Sequence, residues 1–170
     1  NGFLILDISN LQAPQLLGTY LTLGVVKDLN IRNNLMYTAC YNSGVEIVDI
    51  SNLSNPSKVG EYDTDGAAFC IKDDEEYLYL ADQIGGLKIF DITDPINLQL
   101  SGIYNTVFWV EYLKLYDNFV YSINGYHGLY IFKNDPLSSI ESSKQFSINF
   151  ELLQNYPNPF NPTTNIIWNA

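Results

Sequence analysis

Residues able to do chemistry are sparse in this chain, and the scarcity narrows what it can do. His127 is the sole histidine, so a metal site of clustered histidines is excluded within these 170 residues. A Ser–His–Asp arrangement would have to use His127, and no Gly-x-Ser-x-Gly elbow accompanies it. No phosphate loop, dinucleotide fingerprint or zinc-type cysteine spacing occurs. His127 reads most simply as a turn residue ahead of Gly128. Asp63-Thr64-Asp65-Gly66 looks like half of a calcium loop, since oxygen ligands suit that ion. It lacks the third ligand position and the distal glutamate, so an acidic turn is the better reading, with calcium left open as the one cofactor to consider. Cys40 and Cys70 fit buried, small apolar positions and make no disulfide framework, although a bridge between them stays open. No catalytic residue emerges.

The elements that must position these residues follow from a strict period. Gly2, Gly44, Gly86 and Gly128 stand 42 residues apart and open the runs GFLILDIS, GVEIVDIS, GLKIFDIT and GLYIFKND. Asp7, Asp49 and Asp91 share a column, as do Gly18, Gly60 and Gly102, then Tyr20, Tyr62 and Tyr104, then Tyr37, Tyr79 and Tyr121. Four short β-type runs fill each unit, separated by turn residues; in one unit they are 67–72, 77–82, 87–92 and 98–104. No sustained helical period is present. Four strands in about 40–45 residues is the propeller-blade pattern, so the expected fold is an all-β propeller of four-stranded blades. The count is two strands (3–8, 15–20), two full blades (25–62, 67–104) and three strands of another (108–133), a partial, open arc that reads as a fragment of a larger ring. The column glycines are expected to supply positive φ, the aspartates to cap the following turn, and the tyrosines to pack between blades.

The run GL-x-I-[FV]-D-I-[ST], the following Asn-Pro or Asp-Pro, the Gly-x-Tyr pair and the YLYLAD strand together resemble the LVIVD-repeat propellers of bacterial and archaeal surface proteins, over roughly residues 2–133. The chain is thus read as a partial propeller over 1–135, with units starting near 2, 44, 86 and 128. A Ser-rich linker follows over 136–149.

Residues 150–170 carry a different signal. The segment Leu153, Gln154, Asn155, Tyr156, Pro157, Asn158, Pro159, Phe160, Asn161, Pro162 closely resembles the opening of the type A C-terminal sorting domain of the type IX (Por) secretion system. That resemblance implies a truncated β-sandwich of which TTNIIW is the first strand, recognition by the type IX machinery, and a secreted or outer-membrane-attached, cell-surface location. No apolar run approaches the ~20 residues of a membrane-spanning helix. A net charge of −11 with eight basic residues makes nucleic acid a poor partner.

Strand alternation places the turns between second and third strands on the same side as the connections between blades. That side collects Tyr41, Asn42, Asp63, Thr64, Asp65, Asp82, Gln83, Phe108, Trp109, Tyr126 and His127. Its members Tyr41, Asp63, Asp65, Asp82, Trp109, Tyr126 and His127 form the candidate binding face, because loops on a rigid scaffold commonly carry function. The expected function is a non-enzymatic surface scaffold binding protein or glycan through this face. An accessory module of a secreted polysaccharide hydrolase or lyase is the alternative.

Overall fold

The computed structural model describes residues 1–106, 109–125 and 128–133, and the sorting-type segment, the linker, Phe108, Tyr126 and His127 lie outside them. Among the described residues thirteen strands form four antiparallel sheets of two, four, four and three strands. The first sheet pairs β1 (Phe3–Asp7) with β2 (Gln15–Tyr20). The second runs in chain order through β3 (Asp28–Arg32), β4 (Leu35–Ala39), β5 (Val45–Asp49) and β6 (Ser57–Tyr62). The third repeats it with β7 (Cys70–Asp73), β8 (Tyr77–Ala81), β9 (Leu87–Asp91) and β10 (Gln99–Tyr104). The fourth holds β11 (Tyr112–Tyr116), β12 (Phe119–Ile123) and β13 (Leu129–Lys133). No α-helix occurs among the described residues, so none there crosses a membrane as a helix.

The period is visible in the backbone. Gly2, Gly44, Gly86 and Gly128 all have positive φ, as expected. A side chain at Gly44 or Gly86 would also overlap the carbonyl oxygen of Tyr62 or Tyr104 on the outer strand. Asp7, Asp49 and Asp91 accept the backbone N–H groups of Ser9, Ser51 and Thr93 at 2.8, 2.7 and 2.6 Å. The Thr93 hydroxyl with its N–H for Asp91, and the Ser9 and Ser51 N–H groups with their hydroxyls for Asp7 and Asp49, hold the three carboxyls below the ordinary carboxylate range, which fits the capping role expected of them.

Two features escaped the pattern reading. First, the inner strand of the third sheet starts at Cys70, three residues after the expected boundary at 67. Ala68 instead makes an isolated backbone bridge to Tyr41 of the preceding sheet. Second, each outer strand carries a bulge: register shifts between Ile5 and Leu6, between Ile47 and Val48, and between Leu100 and Gly102. The bulge turns Gly18 and Gly60 against the neighbouring sheet, where an added methyl would overlap the carbonyl oxygens of Leu53 and Ile96. At these two positions glycine is needed because the neighbouring backbone occupies the space, whereas at Gly102 an added methyl would meet only the Ile89 side chain at 3.8 Å.

The core lies between sheets. Tyr37, Ala39, Val45 and Ile47 of the second sheet pack on Ala68, Ile71, Leu78, Leu80 and Phe90 of the third. Cys70, Tyr79, Ala81 and Leu87 of the third pack in turn on Val110, Leu113, Val120 and Phe132 of the fourth. The repeated tyrosines join these layers: Tyr62 meets Phe90 and Tyr104 meets Phe132 edge-to-face, with centroids 4.7 and 4.8 Å apart. The Tyr37 hydroxyl donates to the Pro95 carbonyl across the interface at 2.9 Å.

Substituting Gly60→Ala should therefore push the second and third sheets apart rather than strain a single strand. Chemical denaturation is expected to show a loss of about 1–3 kcal/mol, the usual cost of overpacking. A loss below a few tenths would contradict the close approach.

Candidate functional site

The rim where the β4–β5 and β8–β9 turns emerge is tied together by backbone. Tyr41 and Ala68 exchange N–H···O bonds of 3.1 and 3.0 Å, and Gln83 and Val110 exchange bonds of 3.1 and 3.3 Å. Tyr41 and Gln83 adopt φ of 52° and 45°, a left-handed conformation that side chains disfavour. Each is held there because its turn is closed on both sides, by Cys40 N–H to the Gly44 carbonyl and by Asp82 N–H to the Gly86 carbonyl. Tyr41, predicted as a binding residue, is thus first a connector between sheets, and its ring remains half-buried on the rim.

That ring belongs to an aromatic row. Tyr41 and Phe69 stand 6.1 Å apart edge-to-face, and Phe69 and Tyr112 stand 6.4 Å apart. The Lys27 ammonium sits 4.9 Å from the Tyr41 ring centre and 5.0 Å from that of Phe69, a cation–π pairing with both. Trp109 is 56% exposed in the next inter-sheet connection. Sequence reading singled out Tyr41 and Trp109 but not Lys27, Phe69 or Tyr112. The signal was available, because Lys27 and Phe69 occupy one column of the repeat and that column stands beside the Tyr41 turn.

The acidic trio separates in the structure. Asp63 is exposed and lines a shallow depression of about 310 Å³ with Leu23, Asn42, Ser43 and Glu61. Asp82 is buried beneath the rim, not displayed on it. Its carboxylate accepts the Thr64 hydroxyl at 2.7 Å and the Gly66 N–H at 3.2 Å. The buried Lys88 ammonium lies 3.4 Å from Asp82 and 3.5 Å from the exposed Asp65. A lysine therefore already supplies the positive charge between two of the three aspartates. Among the described residues no three His, Cys, Asp or Glu side chains converge as metal ligands. Burial pushes the Asp82 carboxyl above its ordinary range, against the opposing pull of Thr64, Lys88 and Gly66.

One sheet earlier, Cys40 and Glu46 occupy the positions of Asp82 and Lys88. Glu46, equally buried, accepts the Tyr20 hydroxyl at 2.5 Å and the Leu23 N–H at 3.1 Å. Burial, reinforced by Glu46, raises the Tyr20 phenol. This polar column was missed because the run reads as an apolar strand. Its trace was the replacement of glutamate by lysine between VEIVD and LKIFD.

A second polar set joins the inner strands. Asp28 accepts the Lys72 ammonium at 2.6 Å, and the Ile71 N–H and Cys70 thiol at 3.1 Å. Asp73 accepts Asn30 at 2.6 Å and Arg32 at 3.0 Å. Burial raises the Asp28 carboxyl, but Lys72, Cys70 and Ile71 outweigh it and bring it below the ordinary range. Cys70 repeats the Asp28 role one sheet on by accepting the Leu113 N–H at 3.4 Å. Burial and the Asp28 hydrogen bond push its thiol up to about 11, so it stays protonated. Cys40 and Cys70 are both free and buried, so the bridge left open by the sequence is not formed.

Removing the Lys88 ammonium with Lys88→Met should leave Asp82 as a buried, uncompensated anion and cost about 3–5 kcal/mol at neutral pH. The Lys88→Met/Asp82→Asn double variant should recover most of it. The pH dependence has a definite sign. A carboxyl whose folded pKa is raised contributes stability that is present at low pH and lost as pH rises through that value. The single variant's deficit should therefore shrink on acidification, as denaturation at pH 7 and pH 4 would show. An equal deficit at both would contradict the assignment. Asp28 has the opposite sign. Its lowered folded pKa contributes stability above the ordinary carboxylate value of 3.8, lost as pH falls below it, so Asp28→Asn should flatten that region of the acid limb.

Comparison with known proteins agrees with this architecture. No curated protein matches the chain. The crystal structure of the computationally designed Ika4 protein is similar with a TM-score of 0.58 at 17% identity, over 70% of this chain and 72% of that one. The crystal structure of the computationally designed Ika8 protein also gives 0.58, at 12% identity, over 71% of this chain but 37% of that one. At such identities the likeness is one of fold. A family model described as the LVIVD repeat matches residues 1–22, 23–64 and 65–106, most of the chain and in step with the sheets described above. The chain belongs to the LVIVD-repeat family, and its sheets are blades of a β-propeller.

Proposed function

We infer that this protein is a secreted or cell-surface repeat scaffold, without catalytic activity of its own, that binds a protein or glycan through the rim carrying Lys27, Tyr41, Phe69, Trp109 and Tyr112. The observation that carries the reading is the aromatic row itself. Tyr41 on the β4–β5 turn, Phe69 just before β7 and Tyr112 at the start of β11 stand edge-to-face in sequence beside the backbone bridges that link the blades, which keeps the ordering cost of binding low. Aromatic faces with a cation beside them suit sugar rings and aromatic or aliphatic protein side chains alike. A non-enzymatic role is supported by how the reactive groups are used. The aspartates of the repeat cap turns, Asp28 and Asp73 clasp neighbouring strands, and the Cys40 and Cys70 thiols are raised by burial.

The proposed route to the surface is type IX secretion, with the segment 150–170 as the sorting signal. Its support is the run Gln154–Pro162 alone. The partners are then the secretion machinery and a surface protein or glycan met outside the cell.

Two measurements test this reading. With the full chain immobilised against panels of glycans and envelope proteins, Trp109→Ala and Lys27→Ala should each weaken a captured ligand about tenfold. Both are surface changes, so stability should stay within about 0.5 kcal/mol of the parent. No ligand, or one indifferent to both substitutions, would refute the rim. In a bacterium with type IX secretion, protease shaving should find the parent chain at the surface and an Asn158→Ala/Phe160→Ala variant retained inside. Equal surface exposure would refute the address.

A further inference from the structure

We propose that Asn124 is a site of spontaneous modification, where the side-chain amide is lost to the chain's own backbone and aspartate or isoaspartate is left. Asn124 directly follows β12 and is itself followed by Gly125. Three features of the structure converge on it. The residue is fully buried, and its Nδ2 is the single buried side-chain nitrogen or oxygen without a hydrogen bond among the described residues. Its Oδ1 accepts the Ser122 hydroxyl at 2.7 Å, in a bond that is itself buried. Gly125 places no side chain beside its own backbone nitrogen, the atom next to the Asn124 amide along the chain.

Each feature serves one part of the reaction. The Gly125 nitrogen gives its proton to solvent hydroxide and attacks Cγ of Asn124. Negative charge develops on Oδ1, where the Ser122 hydroxyl already donates. The Cγ–Nδ2 bond then breaks and Nδ2, taking a proton from water, leaves as ammonia. No hydrogen bond to a described residue holds it back. Water opens the resulting succinimide ring at either carbonyl, which yields aspartate or isoaspartate. The repeat shows what the aspartate fits. Asn124 stands one unit after Asp82, whose buried carboxylate accepts the Thr64 hydroxyl and the Gly66 N–H. Exchanging Nδ2 for oxygen turns an unmatched donor into an acceptor of the Asp82 kind. Isoaspartate instead lengthens the main chain by a methylene at the residue whose N–H closes the turn on the Gly128 carbonyl at 3.0 Å.

The test incubates the full chain under native conditions at pH 7 and pH 9 and follows each asparagine by peptide-mapping mass spectrometry. Asn124 should convert, and faster at pH 9, because the attacking nitrogen must lose its proton. Ser122→Ala should slow that conversion about threefold or more. It should leave unchanged the rate at Asn1, which forms the chain's other Asn-Gly pair. In urea the effect of Ser122→Ala should vanish, since the hydroxyl acts only where the fold holds it. Gly125→Gln should suppress conversion about tenfold by screening the nitrogen. Its fold is expected to survive, because Tyr41 and Gln83 hold the same left-handed conformation, φ 52° and 45°, at this position in the two preceding blades. An Asn124 still intact when Asn1 has fully converted overturns the proposal. A Ser122→Ala rate equal to the parent's, or a Gly125→Gln rate equal to it in a folded variant, does so too. The outcome is independent of whether the aromatic rim binds a ligand.

Discussion

Everything in this molecule depends on one sheet covering the next. A four-stranded sheet with apolar residues on both faces cannot bury them itself, so its stability comes from its neighbours. The second and third blades show the consequence. Their central strands β4, β5, β8 and β9 hold most of the fully buried side chains, and these meet across sheets rather than within them. The bulged outer strands, the glycines pressed against neighbouring carbonyls and the tyrosines reaching over the boundary all serve the same contact.

The contact is also polar, and that fixes register. Apolar faces slide easily, but the bonds of Asp28 to Ile71 and of Cys70 to Leu113 do not, because each satisfies a specific backbone N–H of the neighbouring inner strand. The isolated bridges at Tyr41 and Gln83 do the same at the rim. The proposed binding rim coincides with these bridges. The turns that carry Tyr41 and Gln83 are the turns that link the blades, so a ligand bound there would meet a surface already ordered.

Much of this was legible in the residues. The 42-residue period gave the number of strands, the turn glycines and the capping role of Asp7, Asp49 and Asp91, since each is a local requirement met by one residue type. What was not legible depends on tertiary contact. The bulge opposite Ile47 cannot be read from SKVGEY, because it answers to the Ile96 carbonyl of another blade. Nor does Tyr41 look like a left-handed residue, since only the flanking bonds force it there. The Asp82–Lys88 pair was hidden because Asp82 reads as a loop carboxylate and Lys88 as an interruption in a strand. Only their common burial relates them. The aromatic row was seen only in Tyr41, because Phe69 and Tyr112 come from later units and meet it only in the folded chain.

Native-state amide hydrogen exchange measured strand by strand at low protein concentration tests the central claim most directly. If neighbour cover sets stability, opening free energies should peak in β4, β5, β8 and β9 and fall in β1 and β2, whose sheet has a neighbour on one side alone among the described residues. A uniform opening free energy across β1–β2 and β8–β9 would mean that the chain unfolds as one unit, and would contradict the account.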